Sequence, residues 1–406
     1  MTTFLTRTGD FFANLQRKQN YGAFLYYFAL LIYIVSQYVH ISSMFTIFVP
    51  SLIINRIAEV AGGLVILKIL LFDRDKFPNW QSGCLATALG LLLWTACVHG
   101  NTYDLFYYYV FILGAWKMNY RQLLKFFIWT MTICLLVTIV AAKIGIIPGL
   151  TIGRKGLATV RYALGTNYPT DLAAKLYYLM LSYTVLKKFK LRLPELISLI
   201  ALAVFTYVTT DTKLDVALML LLILVVIFYK QIVSFLQWLG SAWIVAISYI
   251  VIAISILMAY FYTSSNVVLR LANKVLSKRL YYQHEAFKKY NVTLFGQSIP
   301  QRGNGGLHGA IYNYFYIDSS YVRILMMFGF VAFVMAMALV AVMIVRGMNR
   351  RAYALVLFTI FVLASSIIDH HMFQLSFDFA FIALLANTSF FENEDNLENF
   401  AVFRRD

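Results

Sequence analysis

Apolar runs of about 20 residues recur from Tyr21 to Ala386, with short polar connections between them. Each run is long enough to cross a bilayer as a helix, the form in which a backbone satisfies its own hydrogen bonds in hydrocarbon. The chain has 406 residues, 61% hydrophobic and 13% charged, whereas a soluble domain is about a quarter charged. That excludes an ordinary cytosolic enzyme. An outer-membrane barrel needs short alternating strands, but Leu214 to Tyr229 and Phe328 to Val345 are continuous apolar runs. The expectation is an all-α polytopic membrane protein with about 12 transmembrane helices.

Helices are expected near residues 22–40, 45–72, 83–99, 104–118, 123–146, 171–187, 194–210, 214–229, 242–262, 320–346, 352–368 and 370–388. No internal repeat and no Gly/Ser or Pro linker divides them, so residues 1–406 read as a single transmembrane domain. In the second span Arg56 and Glu59 are three apart and able to pair, facing protein or water. Met1 to Asn20 is polar and mixed, unlike a secretory signal. Cys84, Cys97 and Cys134 lie in apolar stretches without metal or redox spacing.

Short loops rich in Lys and Arg stay in the cytoplasm. Arg17 with Lys18, Arg74 with Lys76, Lys117 with Arg121 and Lys125, the cluster from Lys187 to Arg192, Lys230, and Arg346 with Arg350 and Arg351 fall on alternate connections. Both termini are therefore expected in the cytoplasm of a bacterial inner membrane. The opposite connections, at His40, His99 to Asp104, Pro148 to Thr170, Thr209 to Lys213, Thr263 to Ser319 and Asp369 to His371, face outward and carry all 6 histidines. The net charge of +16 is dispersed among the hydrophobic helices, which points to lipid head groups and anionic lipid-linked substrates rather than nucleic acid.

Two outer segments carry the chemistry: residues 147–170 and the long basic loop 263–319, between the ninth and tenth spans. In the long loop Arg270, Lys274 and Lys278 recur every four residues opposite Val267, Val268, Leu271, Val275 and Leu276, the pattern of an interfacial amphipathic helix. Its cations suit either anionic lipid or a diphosphate. The glycine-rich stretch from Pro300 to Gly309, which includes Arg302 and His308, is either a flap beside a site or a turn; no Gly-Lys-Ser/Thr makes it a P-loop. Tyr312, Tyr314, Phe315 and Tyr316 then lead to Asp318 and Arg323, as membrane anchors or as faces that stack on sugars. In the first segment Arg154 and Arg161 offer the planar fork that suits phosphate oxygens. Asp171, just after Pro169, is expected to cap the next helix ahead of any catalytic role.

At these residues the chain resembles the Wzy-type polysaccharide polymerases, which lengthen O-antigen, capsular or exopolysaccharide chains and are related to O-antigen ligases. Arg161, Leu164, Gly165, Pro169 and Thr170 fit the family's first outer segment. Asp211-Thr-Lys213-Leu-Asp215 resembles its Ser-Arg-Thr segment, with lysine in place of arginine, and Arg279, Phe295-Gly296, Asp318, Tyr321 and Gly329 resemble the third. The likeness spans residues 150–335.

The resemblance implies a multi-span (GT-C-like) glycosyltransferase. It would transfer a growing glycan from undecaprenyl diphosphate to the terminal sugar of an incoming lipid-linked repeat unit, at the outer face and without metal or cofactor. Fixed cations stabilise a diphosphate leaving group, and Arg161, Arg279, Arg154, Lys213 and Arg302 are the candidates. The acceptor hydroxyl needs a base: Asp318 first, His308 second, then His370 with Asp369 and His371. Each histidine alone also fits an interfacial or hydrogen-bonding role. The only Asp-x-Asp, Asp73-Arg-Asp75, falls on the cytoplasmic side. The implied partners are undecaprenyl-diphosphate-linked oligosaccharide and membrane lipid, with a flippase and a chain-length regulator of the pathway as candidate protein partners. An O-antigen ligase shares the chemistry. A lipid-linked oligosaccharide flippase is the rival from another class, disfavoured by the long outer loop and the sparse charge in the spans.

Overall fold

The computed structural model describes residues 2–73, 79–153, 160–303, 305 and 313–394. Arg74, Lys76, Arg154, His308 and most of the glycine-rich stretch after Pro300 lie outside the described residues. The helices are α1 (Thr2–Ser42), α2 (Ser51–Phe72), α3 (Trp80–Gly100), α4 (Asp104–Gly114), α5 (Tyr120–Lys143), α6 (Pro169–Leu186), α7 (Leu193–Thr210) and α8 (Lys213–Ile227). They continue with α9 (Tyr229–Tyr260), α10 (Val267–Val275), α11 (Arg279–Lys289), α12 (Ser320–Arg323), α13 (Gly329–Asn349) and α14 (Tyr353–Ser366). A hairpin of β1 (Thr151–Gly153) and β2 (Val160–Tyr162) sets Ile152 opposite Arg161 in antiparallel register.

Among the described residues six helices are long and apolar enough to cross a membrane: Asn20–Ser42 of α1, α3, α5, α7, α9 and the run Ser320–Asn349. Helix α2 carries Arg56 and Glu59, which pair at 2.6 Å on an exposed face, where protein or water contact was expected. A short 3-10 turn, Met44–Ile47, comes first and Pro50 is the N-cap of α2, so the helix expected from residue 45 begins at Ser51. Helix α9 starts thirteen residues before the expected 242, with its kink at Gly240, whose φ of 75° is left-handed.

The connections sort to two ends. At one end the C-terminal segment gathers basic turns from four places: Arg121 and Lys188 lie 3.9 and 4.7 Å from the Phe390 ring, Arg350 pairs with Glu392 at 2.8 Å, and the Tyr229 hydroxyl donates to Glu394 at 2.6 Å. At the other end α10, α11 and the chain leading to α12 stand over a cavity. Expected as one amphipathic interfacial helix, the 267–278 stretch ends at Val275, and Val267, Val268, Leu271 and Val275 present an exposed apolar face.

The segment expected as a helix over 370–388 is not one. It runs from the cavity end, where Ser320 Oγ donates to the Asp369 carbonyl at 2.6 Å, to the opposite end, where the Lys117 amide donates to Leu385 at 2.9 Å. Between them are turns and a 3-10 stretch, Ala380–Leu384, buried nearly throughout. Non-helical backbone at this depth is tolerated only where protein supplies its hydrogen bonds. Tyr108 and Tyr120 hydroxyls donate to the carbonyls of Asp378 and Phe379 at 3.2 and 3.0 Å, and Lys175 Nζ donates to Ser376 at 2.5 Å. Phe373, Leu375, Phe377, Phe379 and Phe381 and the polar Gln374, Ser376 and Asp378 between them are buried alike, so no one-sided face marks the departure from a helix.

The long loop is clamped onto the bundle where α12 passes through a π turn, Ile324–Phe328, into α13. The amides of Phe330 and Val331 donate to Thr293 and Leu294 at 2.9 and 3.1 Å, and the Gln297 amide donates to Met327 at 3.0 Å. Gly296 and Gly329 lie back to back with φ of 87° and 90°, and a Cβ on either would run into the other strand's backbone. The two glycines of the resemblance thus share one physical reason. We expect Gly296→Ala to cost more than about 1–2 kcal/mol, the left-handed penalty alone, read as a lower thermal unfolding midpoint and faster proteolysis within 263–319.

Candidate functional site

A cavity of about 950 Å³ opens at the end beneath the long loop. Its walls come from the connections read as outward-facing: the end of α1 at His40, residues 161–171, 211–215, 277–282, Gly303, Gly305, 314–318 and 369–371. Arg161, Lys213, Arg279, Asp318 and His370, distant in sequence, therefore face one space. Arg302 stands apart. Its backbone bridges to Phe315 and its side chain is exposed, away from the cavity lining. Arg154 and His308 lie outside the described residues.

Each cation is held differently. Arg161 projects from β2, and its Nε donates to the Thr210 carbonyl at 2.7 Å, at the C-terminus of α7, where carbonyl dipoles favour a cation. The guanidinium lies 5.4 Å from the Tyr168 ring, and no described residue takes a hydrogen bond from its two terminal nitrogens. Lys213 opens α8 and is exposed. Arg279 opens α11 after two left-handed residues, Ser277 and Lys278, with φ of 55° and 70°. Such backbone costs energy and persists where the surroundings fix it. Asn273 supplies one restraint, accepting from the Tyr281 amide at 3.1 Å and donating to the Tyr262 hydroxyl at 3.0 Å. His284 supplies another through the Tyr260 carbonyl at 2.9 Å, a structural role for one of the histidines.

Arg279 stands between two carboxylates, 3.6 Å from Asp318 and 3.5 Å from Asp369. Burial opposes its charge, and Asp318, Asp369 and Asp215 more than restore it. Burial also lifts Asp318 above the ordinary carboxylate range, against the pull of Arg279 and Arg323. Asp369 is pushed well above that range by burial and by the neighbouring Asp215 carboxyl. His370 lies 3.1 Å from the Tyr316 hydroxyl, with its ring 4.3 Å from that of His371.

Sequence reasoning placed Asp171 as a helix cap, and Asp171 stands in the first turn of α6 beside the N-cap residue Tyr168 while also lining the cavity. It passed over Lys175, one turn further, whose Nζ lies 3.2 Å from the Phe377 ring. It also did not assign Asp215 or Arg323 a role. Tyr282, Tyr314 and Tyr316 line the cavity, with Tyr282 and Tyr314 edge to face at 4.7 Å; Phe315 packs instead near Tyr290. Among the described residues no group of three His, Cys, Asp or Glu side chains is disposed to hold a metal ion.

No protein-family model, curated protein or solved structure matches the chain. The site is read from its own geometry.

Removing Arg279 leaves Asp318 and Asp369 without their shared cation. We expect Arg279→Gln to lose up to about 3–5 kcal/mol at neutral pH. Both carboxyls would then have folded pKa values raised further above the unfolded value of about 4. The penalty is full above the folded pKa values and disappears below about pH 4, where both carboxyls are protonated in folded and unfolded chains alike. Unfolding midpoints of variant and parent should therefore converge on acidification; a gap independent of pH would contradict the assignment.

Proposed function

We propose that this chain is a membrane glycosyltransferase acting on lipid-linked glycans, and specifically a polysaccharide polymerase. It moves a growing glycan from undecaprenyl diphosphate to the terminal sugar of a lipid-linked repeat unit. The observation that carries this reading is the convergence of Arg161, Lys213, Arg279, Asp318 and His370 on one aromatic-walled cavity. That is the combination the reaction needs: cations for a diphosphate, a base for a hydroxyl, and rings for sugars.

The acceptor oxygen attacks the anomeric carbon of the donor while the bond from that carbon to the diphosphate oxygen breaks. The diphosphate leaves on its polyprenyl carrier, and Asp318 takes the hydroxyl proton. Arg161, with its fork open to the cavity, and Lys213 take the charge that develops on the leaving group. Arg279 stands between leaving group and base. No metal enters any of these steps.

Arg121, Lys188, Lys230 and Arg350 belong to the basic end, which by the bias of short loops is cytoplasmic. The cavity is then extracytoplasmic in a bacterial inner membrane, with both termini inside. Counting α2, α4, α6, α8, α14 and the irregular 370–386 passage with the six long helices gives about 12 crossings. An O-antigen ligase uses the same chemistry with a different acceptor.

Purified protein given only lipid-linked repeat units should yield a ladder of longer products, also in EDTA; abolition reversed by a divalent ion would exclude the metal-free reaction. Transfer to lipid A core without a ladder would make it a ligase. Asp318→Asn should lower elongation by about 10²–10⁴-fold, the usual worth of a general base. Because the base works deprotonated and its pKa is raised, the parent rate should fall as pH drops, with a midpoint above about 4, and that limb should vanish in Asp318→Asn. Arg161→Ala should also abolish elongation while the protein still inserts and accumulates.

A further inference from the structure

A second cavity, of about 370 Å³, lies between α3, α4 and α13. Its walls are apolar, with Leu85 and Leu89 on α3, Ile112 on α4, and Met335 and Leu339 on α13. It follows α4 from Leu105 to Leu113, about 12 Å at 1.5 Å per residue, and reaches Trp116 just past the helix end. The helical part alone is somewhat under half the ~30 Å hydrocarbon thickness of a bilayer. Leu105 and Phe373 line its upper end, and the same two residues line a small polar vestibule with Asp104, Arg323 and His370. His370 also lines the large cavity. Groove, vestibule and reaction cavity thus follow one another through shared walls.

We infer that this groove seats the hydrocarbon chain of a polyprenyl-linked substrate, and that Arg323 is the first cation its diphosphate meets at the mouth. The inference rests on the lipid-linked reading of the substrate. A lipid in one leaflet sets its anionic head at the surface and its chain along the helix axes, and the groove has the same order: cation above, apolar walls below. Arg323 donates to Gln301 at 3.3 Å, and among the described residues no carboxylate lies within ion-pair distance of it, unlike Arg279. The proposed reaction also joins two lipid-linked glycans, so two carrier chains must reach one cavity, and this groove gives one of them its route.

The test uses the full-length protein in phosphatidylcholine nanodiscs with p-benzoylphenylalanine at Leu89 and undecaprenyl diphosphate as probe. Illumination should give a saturable adduct, displaced by unlabelled probe at a concentration about tenfold lower than phosphatidylglycerol needs, a preference of about 1.4 kcal/mol. The same photoreactive residue at Leu136, exposed on α5, should give no saturable adduct. Ala86→Trp and Ala338→Trp, at groove positions outside the buried core, should raise KM for the polyprenyl-linked donor about tenfold with kcat little changed. Equal displacement by phosphatidylglycerol overturns the inference, because the groove then holds ordinary lipid. So does the absence of adduct, with unchanged KM in both variants, in protein that elongates glycans. A saturable adduct in protein that elongates nothing sustains the groove and defeats the enzyme reading.

Discussion

Non-helical backbone can lie deep among apolar helices only if side chains take its hydrogen bonds, and this fold is organised around one such stretch. Residues 369–386 pass from the cavity end to the basic end without a regular helix, supported by Tyr108, Tyr120 and Lys175. Gln374 adds a link, donating to Asp104 at 3.1 Å and meeting His371 at 2.7 Å. Asp369 and His370 stand at the head of this stretch, so one wall of the cavity depends on bonds made well below it. An α-helix would have satisfied itself, with no need of the tyrosines and the buried lysine that hold this segment in place.

The cavity is also less basic than the loop above it. Arg161, Lys213, Lys278 and Arg279 face Asp171, Asp211, Asp215, Asp318 and Asp369. Arg279 is occupied by carboxylates, while Arg161 keeps the open end of its fork toward the space. A charge already balanced is well suited to holding a base in position, and an unbalanced one to receiving an anion. The two arginines, equivalent as residue types, are therefore different as instruments.

Much of this was legible in sequence. Apolar run length gave the helical membrane class, and alternation of basic and histidine-bearing connections sorted the chain into two ends. Arg161, Lys213, Arg279, Asp318 and His370 stand out in the sequence as candidates, because the connections between apolar runs concentrate residues that lipid excludes, and they line one cavity. What escaped has physical reasons. The 370–388 stretch is rich enough in Phe, Leu and Ala to read as a span, and its turns are held by tyrosines and a lysine from distant helices that no local pattern announces. Lys175 reads as an isolated charge until Ser376 and Phe377, two hundred residues away, are brought to it. Asp171 sits in the first turn of α6 as a capping residue does, and that local rule says nothing of the cavity the same carboxyl also lines.

The back-to-back glycines have a consequence for how such a protein can change. Gly296 fixes the long loop to α13 on one side, and on the other Ser319 and Ser320 fix it to Ser366 and Asp369. Arg279 lies before the first anchor and Asp318 beside the second, so both are insulated from the chain between. Substitutions there can reshape the entrance of the cavity while Arg279 and Asp318 stay where they are. The fold separates a fixed floor from a rim, and the rim can be rewritten without moving what lies beneath it.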